Sequence, residues 1–505
     1  MNSYKSFFAL FFVITTSCVT PSEKKVLSKP EYQNIVFIVG DDHATHAIGC
    51  YGNKIVKTPN IDKLAGSGVR FTHAYANSPL CSASRQSIIT GRYPHASGVT
   101  LLRTPFPEEQ VSIADHLVKY GYKTGMFGKT HFNNDLKHGF TTLINSSDHQ
   151  KYLEGIIEPE ISDTIKVRPQ WKPFEDPASV WLNAESATSG HQYEYDKGTF
   201  VAREGIKFIE ENKNNKFLAW IAFNEPHSPF NFPIEFQGKY DTDDILLPQT
   251  SAEDDRWIPE VFKELTIEER KGIIRSYYTS VEYLDKNVGR IVAAVKKAGI
   301  ADKTLIVYVG DHGYLLNHHK RFEKHMMWEE SVNSPLIINA FGKGIVEESF
   351  VEYIDLMPTL LDVIGVDPMA TAQGKSFFPL LKNETDIHRN FVFSEYYPDN
   401  KAMIRTKNWK YIFTTGEKDL AQGYQTGNKP SGVLYRLYDQ QEDPKEFKNQ
   451  AEDPENEKVI NNLRGKMLQV FMDTHPKANS LPSGLTIDEK LVFFCKPYGE
   501  VYNGY

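Results

Sequence analysis

The chain has 505 residues and a formal net charge of −8, with 40% apolar and 24% charged residues. That is the composition of a soluble globular protein, long enough to bury a large core and to divide into two domains. The acidic balance leaves no broad basic field, which argues against nucleic acid as a partner and assigns any anion binding to local basic clusters.

Lys5 precedes an apolar run from Phe7 to Ile14. The run is too short to span a bilayer, and residues 1–17 read as a signal peptide. Thr15-Thr16-Ser17 lead to Cys18, and a polar stretch from Val19 to Pro30 follows. A cysteine placed directly after a small residue and ahead of a polar linker is where bacterial lipoproteins carry their lipid. Cys18 is therefore expected to be lipidated and residues 18–30 to form a linker, with the protein exported to the periplasm, outer membrane or cell surface. Contact with a membrane would then be through that anchor alone.

Asn34 to Gly40 is a continuous apolar run with β-branched residues that ends in Asp41 and Asp42. Such a run reads as a fully buried parallel strand delivering carboxylates at its C-terminal end. Thr58-Pro59-Asn60 opens a short helix to about Ser67, and Val69 to Ala74 reads as a strand. In the next segment Pro79 fixes the approach, Ser82 can cap, and a helix runs to Gly91, so Cys81 falls at a helix N-terminus, where N–H groups favour an anion. Arg85 lies one turn on and adds a permanent cation. On spacing alone, Cys81 fits a small core side chain and an activated nucleophile equally well.

Ser112 to Tyr120 is helical, and Lys123 to Phe127 is a strand leading into Gly128-Lys129-Thr130-His131. From Asn145 to Asp196 periodicity is weak, which suits either an insertion over the site or a solvated excursion. Lys216 to Phe223 is a buried strand ending at Asn224-Glu225-Pro226-His227. Glu268 to Lys297 is a long amphipathic helix with Tyr277, Val281, Leu284, Val288 and Ile291 on one face. Thr304 to Val309 is an apolar strand ending at Gly310-Asp311-His312-Gly313.

Near residue 390 the pattern shifts to short alternating strands, Phe391–Tyr397, Lys401–Thr406, Lys410–Thr415 and Val433–Tyr438, followed by a helix from Glu455 to Thr474. Residues 31–385 thus form an α/β domain with a mostly parallel sheet, and residues 386–505 a smaller α+β domain. Cys50 and Cys495 either pair or remain core thiols.

Four strands end in chemically capable residues, and in an open α/β sheet the carboxyl ends of strands form the ligand crevice. Asp41, Asp42 and Asp311 offer hard oxygen donors for a divalent cation, Ca²⁺ above all. Lys129, His131 and His227 should converge beside them.

The run Cys81-x-Ala83-x-Arg85 with Thr90-Gly91-Arg92 resembles the signature of the formylglycine-dependent type I sulfatases. The resemblance runs from Ile35 to about Asp362 and implies an alkaline phosphatase-like fold. It implies that Cys81 is oxidised to formylglycine (3-oxoalanine), and Ala83, where proline is commoner, points to the radical-dependent anaerobic maturase. Asp41, Asp42, Asp311 and His312 match the family's metal positions, with position 81 adjoining them as a further ligand. Histidine at 312 resembles the iduronate-2-sulfatase-like branch and leans toward a 2-O-sulfate beside a uronic acid.

Lys129, His131, His227 and Lys324 match the remaining catalytic positions. Arg85 and Lys129 would hold the modified side chain and the sulfate, His227 with Lys324 would protonate the departing alcohol, and His131 would serve as base. The implied activity is hydrolysis of O-sulfate esters on a carbohydrate, such as ulvan, another algal glycan or a glycosaminoglycan. A phosphoesterase or phosphonate monoester hydrolase could use the same scaffold. A non-catalytic glycan-binding lipoprotein would be expected to lack one of these groups, and all are present. His95, Arg103, Arg168 and His191 are further candidate contacts for the sugar or its charges, with loop stabilisation as the other role open to His95. His318 and His319 lack spaced acidic partners and fit a cleft wall or surface better than a metal.

Overall fold

In chain order the strands are β1 (Asn34–Gly40), β2 (Val69–Phe71), β3 (Ala74–Tyr75), β4 (Lys123–Gly128), β5 (Thr142–Asn145), β6 (Phe217–Ala222) and β7 (Thr304–Gly310). They continue as β8 (Leu336–Ile338), β9 (Ile345–Glu347), β10 (Val351–Glu352), β11 (Phe391–Tyr396), β12 (Lys401–Thr406), β13 (Trp409–Thr414) and β14 (Leu434–Asp439). The computed structural model describes residues 32–420, 423–430 and 432–496. The expected signal peptide, Cys18 and the linker lie outside the described residues. Among the described residues, no helix is long and apolar enough to cross a membrane.

The main sheet has eight strands in the order β5-β4-β6-β1-β7-β8-β2-β9. Only β8 runs antiparallel to its neighbours. The strands β1, β6 and β7 are continuous apolar runs because they are covered on both faces. Ile35, Phe37 and Val39 point into one core with Trp220, while Val36 and Ile38 point into the other with Phe208 and Leu284. The helix Ile267–Lys297 lies on that second face, started by a capping box in which Thr266 and Glu269 each accept the other's backbone N–H.

Register decides where the chemistry emerges. Gly40 stands opposite Gly310, and Ala222 stands opposite both Val39 and Gly128. The residues that follow β1, β4, β6 and β7 therefore leave the sheet at one edge.

The span Val69–Ala74, expected to be one strand, is divided. Thr72 and His73 turn out to bond the carbonyls of Glu347 and Glu348, so β2 stays in the main sheet while β3 pairs in parallel with β10. The helix expected over Ser112–Tyr120 shortens to Ile113–Val118, because Ser112 serves as its N-cap in a box with Asp115. Cys50 and Cys495 are both free: Cys50 is half-buried, while Cys495 lies in the C-terminal core.

The C-terminal unit is a four-stranded antiparallel sheet, β11-β12-β13-β14, backed by the helices Glu457–Thr474 and Ile487–Cys495. The second helix was not apparent from the sequence pattern. His95 joins this unit to the main one. Its ring is fully enclosed, with Nδ1 2.8 Å from Glu395 Oε2 and Nε2 2.8 Å from Thr474 Oγ1, and its backbone N–H donates to Glu395 Oε1 at 2.9 Å. The sugar contact proposed for His95 is thereby corrected to a structural role, since both ring nitrogens are occupied and no face reaches solvent.

Removing one partner of a buried pair leaves the other unsatisfied. Glu395→Ala is expected to lower stability by about 3 kcal/mol, read as a fall in thermal midpoint. An unchanged midpoint would contradict the role given to this pair.

Candidate active site

Helix Cys81–Thr90 is buried along its whole length and ends at Gly91, whose φ of 66° is the left-handed conformation that closes a helix. Cys81 is its first residue. Ser82, expected to cap, instead donates to the carbonyl of Leu101 at 3.1 Å, and the N-terminus has no side-chain cap. The first-turn N–H groups are thus left to whatever occupies the site.

Cys81 Sγ lies 3.1 Å from Lys324 Nζ, 3.3 Å from His312 Nε2 and 3.9 Å from Asp42 Oδ1. Burial outweighs the attraction of Lys129 and Lys324 and pushes the thiol up to about 12. As cysteine, this residue carries a protonated, enclosed thiol.

The carboxylates are fixed by the backbone around them. Asp42 adopts a φ of 62°, costly for a residue with a Cβ, and is held there by Tyr277, whose hydroxyl donates to its carbonyl. Asp42 N–H donates to Asp311 Oδ1 at 3.0 Å. Arg85 Nε donates to Asp311 Oδ2 at 2.9 Å, Nη1 donates to the Lys129 carbonyl at 3.0 Å, and Nη2 lies 3.6 Å from Asp41 Oδ1. Arg85 therefore ties the helix that begins at Cys81 to the ends of three strands. Arg85 is absent from the cavity lining, and its Nη2 is buried without a hydrogen bond.

Lys129 donates to Asp41, and Lys324 Nζ lies 2.6 Å from Asp42 Oδ1. Burial opposes ionisation of Asp41, but Lys129, His227, Arg85 and Lys324 together outweigh it and hold the carboxyl well below its usual range. The same contest runs in reverse at Lys324: burial disfavours its charge, yet Asp42, Cys81, Asp41 and Asp311 hold it well above the ordinary lysine value. His227 Nδ1 is 2.8 Å from the Ser228 carbonyl, and Nε2 is 3.8 Å from Asp42 Oδ2. Burial, then the nearby Lys324, bring His227 down to about 4. Burial and the charges of Lys129 and Arg85 keep His131 neutral as well.

Asp41, Asp42, Cys81 and His312 offer ligand atoms all within 4.8 Å of one another, a possible metal site. Its chemistry fits a cation: Asp41 Oδ1 is buried without a hydrogen bond, and His312 Nδ1 is 2.9 Å from the Gly313 carbonyl, which turns Nε2 toward the cluster. Asp311 borders this group, with Oδ1 3.7 Å from His312 Nε2, and its oxygens already accept from Asp42, His312 and Arg85.

Above these groups is a cavity of about 600 Å³. Of the residues singled out from sequence, Asp42, Cys81, Lys129, His131, His227, Lys324, Arg103 and Arg168 line it. His191 does not; its Nδ1 is 2.8 Å from Glu158 Oε1. His318 and His319 line a separate cleft of about 200 Å³ with Glu330.

Several wall residues carried no legible signal. Trp171 and Trp181 come from the insertion, and Tyr424 comes from the C-terminal unit. Glu225 was visible beside His227, but its role was not. Its carbonyl accepts the Asp41 N–H at 3.0 Å, and burial with Asp196 pushes its own carboxyl up to about 8.

Residues 33–366 match the sulfatase family, and residues 317–473 match the C-terminal region of N-sulphoglucosamine sulphohydrolase. The chain belongs to the sulfatase family. It is a sulfuric ester hydrolase, with an alkaline phosphatase-like fold. An N-acetylglucosamine-6-O-sulfatase of Bacteroides thetaiotaomicron is 28% identical, over 91% of this chain and 90% of that protein. An ulvan-active sulfatase of Formosa agariphila is 26% identical, over 77% of this chain and 74% of that protein. Among solved structures, a phosphonate monoester hydrolase of Agrobacterium radiobacter superposes with a TM-score of 0.73 at 22% identity, covering 89% of this chain and 97% of that one. A structure described as a complex with its substrate D-glucosamine-2-N,6-O-disulfate gives 0.69 at 22% identity, covering 88% of this chain and all of the other (100%).

Because a thiol pushed up to about 12 holds almost no thiolate at pH 8, the folded protein carrying unmodified Cys81 is expected to resist iodoacetamide at that position at pH 8. The same cysteine should alkylate after denaturation, as peptide mass spectrometry will show. Rapid alkylation of the folded protein would contradict the enclosure described.

Proposed function

We propose that this sulfatase hydrolyses O-sulfate esters of a sulfated carbohydrate, using formylglycine formed from Cys81 and a Ca²⁺ ion held by Asp41, Asp42, Asp311 and His312. The observation that carries this reading is the setting of position 81, a helix N-terminus enclosed by Lys324, His312 and Asp42 at 3.1, 3.3 and 3.9 Å. A hydrated aldehyde there supplies an oxygen nucleophile for sulfur and a second hydroxyl for release, while Ca²⁺ counters the negative charge of the sulfate.

The remaining work falls to the chain's own side chains. Lys129 and Lys324 place positive charge against the sulfate oxygens, where charge builds up in transfer. The Lys324 and His227 pair faces the bridging oxygen and delivers a proton to the departing alcohol. In the free site that proton resides on Lys324, since His227 is brought down to about 4 and Lys324 is held high. His131 has a buried Nδ1 with no partner and stays neutral, as a base must.

The carbohydrate reading is supported by relatives named for N-acetylglucosamine-6-O-sulfate and ulvan, and by an expected signal peptide and lipidated Cys18 that would put the enzyme at the periplasm, outer membrane or cell surface. Ala83 favours maturation by the radical-dependent anaerobic enzyme, and His312 favours kinship with the iduronate-2-sulfatase-like branch.

Protein co-produced with an anaerobic maturase is expected to yield the tryptic peptide Phe71 to Arg85 lighter by the difference between CH₂SH and CHO side chains. It should turn over aryl sulfate in preference to aryl phosphate or phosphonate, and Cys81→Ser should lose at least about 10³-fold in kcat. Full activity with unmodified cysteine, or preference for the phosphorus esters, would overturn the reading.

Loss of a member of the proton-delivering pair should matter most where the leaving group is a poor one. His227→Ala is expected to lower kcat about 10²- to 10⁴-fold on a sugar sulfate and markedly less on 4-nitrocatechol sulfate. Equal losses on both would remove His227 from proton transfer.

A further inference from the structure

Two positive charges in the cavity wall, Arg168 and Arg103, form no ion pair among the described residues. Arg168 is fixed through its backbone, because its N–H donates to the Thr188 carbonyl at 3.0 Å and Thr188 N–H donates to Lys166 at 2.8 Å. Its guanidinium is much less anchored. Nη1 donates to the neighbouring Pro169 carbonyl at 3.3 Å, Nε is buried without a partner, and no carboxylate of the described residues forms an ion pair with it. Burial, offset in part by Asp196, works against its charge. A partly buried guanidinium without an anion is a costly arrangement unless a ligand supplies one.

Arg103 faces the same cavity from another segment, exposed and with no hydrogen bond or ion pair to any described residue. The segment that carries it is fixed: Asn133 Nδ2 donates to the Leu102 and Thr104 carbonyls at 3.0 and 2.9 Å, on either side of Arg103. The cavity's acids do not answer these charges, because Asp42 is paired with Lys324 and Glu323 with Arg321.

Trp171 lines the same cavity, its ring 6.1 Å from that of His227 and its Nε1 buried without a partner. An indole face with a free N–H beside it suits the apolar face and a hydroxyl of a pyranose. With about 600 Å³ available, the cavity has far more room than one sulfate group needs.

We propose that Arg168 and Arg103 form a second anion subsite. The substrate is then a sugar bearing, besides the sulfate that is cleaved, another anionic group, either a uronate carboxylate or a second sulfate, with Trp171 supporting the ring between them. Arginine is suited to this task because its planar fork pairs with both oxyanions in bidentate fashion. The inference rests on the sulfated-carbohydrate reading and specifies the class of carbohydrate.

The test is calorimetric titration of the matured enzyme's Cys81→Ala counterpart, which binds without turnover, with three probes. N-acetylglucosamine 6-sulfate carries one anion, glucosamine 2-N,6-O-disulfate adds a sulfate, and a 2-O-sulfated unsaturated uronyl disaccharide adds a carboxylate. At least one doubly anionic probe is expected to bind about 10- to 100-fold more tightly than the singly charged one. Arg168→Gln should erase that advantage and Arg168→Lys restore part of it. Lys172→Gln, at an exposed residue of the same insertion paired with Glu175, should leave it intact.

Whichever doubly charged probe shows the Arg168 dependence identifies the second anion as sulfate or carboxylate. Equal affinity for all three probes, no binding of either doubly charged one, or the same loss on every probe in Arg168→Gln would overturn the subsite. Sulfate release by the matured enzyme separates the two readings. Arg168-dependent binding without release from any sulfate ester would sink the sulfatase reading of the substrate and leave the subsite standing, whereas release without selectivity would sink the subsite alone.

Discussion

Three carboxylates, Asp41, Asp42 and Asp311, are buried at the ends of adjacent strands, and their mutual repulsion is the constraint on which the rest of the site depends. Left alone, such a group would take up protons or open the sheet edge to water. Arg85, Lys129 and Lys324 prevent this, and each comes from a different segment, so neutralising the acids also assembles the site. Arg85 connects Asp311, Asp41 and the Lys129 carbonyl, which places the start of the Cys81–Thr90 helix relative to β1, β4 and β7. Tyr277 completes the frame from the long helix by holding Asp42 in its strained conformation. The charge balance and the position of residue 81 are one arrangement.

The cavity divides into a floor and a wall with different origins. The floor consists of residues that follow buried strands, and register alone brings them to one edge. The wall is built from the insertion, from the loop after the nucleophile helix and from Tyr424 of the C-terminal unit. Strand ends cannot move without disturbing eight paired strands, whereas wall loops can change length and composition at little cost to the core. On the proposed reading, chemistry belongs to the floor and substrate selection to the wall. The unanswered charges of Arg103 and Arg168 fall on the selective side of that division.

How much of this was legible in the sequence follows from the same contrast. Buried parallel strands betray themselves as unbroken apolar runs, so β1, β6 and β7 could be placed, and their polar ends with them. Arg85 was visible as a cation on the right helix face, but its assignment to carboxylates depends on distances that only the fold creates. Ser82 looked like a cap because serine commonly is one, and tertiary contact with Leu101 redirected it. His95 stood beside the nucleophile segment in sequence, yet the chain turns it away into the junction with β11 and the helix Glu457–Thr474. Tyr277 fits the pattern of one more apolar position on a helix face; nothing local distinguishes a tyrosine whose hydroxyl holds the backbone of Asp42. Trp171 and Tyr424 were beyond reach, because aperiodic segments carry no face.

The chemistry around position 81 is itself an argument about which atom belongs there. Two carboxylates and an imidazole converge within 4.8 Å of a sulfur, a mixed set of hard donors and one soft one. Calcium prefers oxygen throughout, and a protonated thiol is a poor ligand for it. Burial raises the thiol more than Lys129 and Lys324 can lower it, so the enclosure that would spoil a thiolate nucleophile is built into the fold. The proposed aldehyde hydrate would give the cation site an oxygen donor in place of a sulfur and would set a hydroxyl beside Lys324. On the proposed reading the encoded cysteine is the precursor of an oxygen nucleophile, and a cation site rich in carboxylates at position 81 suits an oxygen there better than a sulfur.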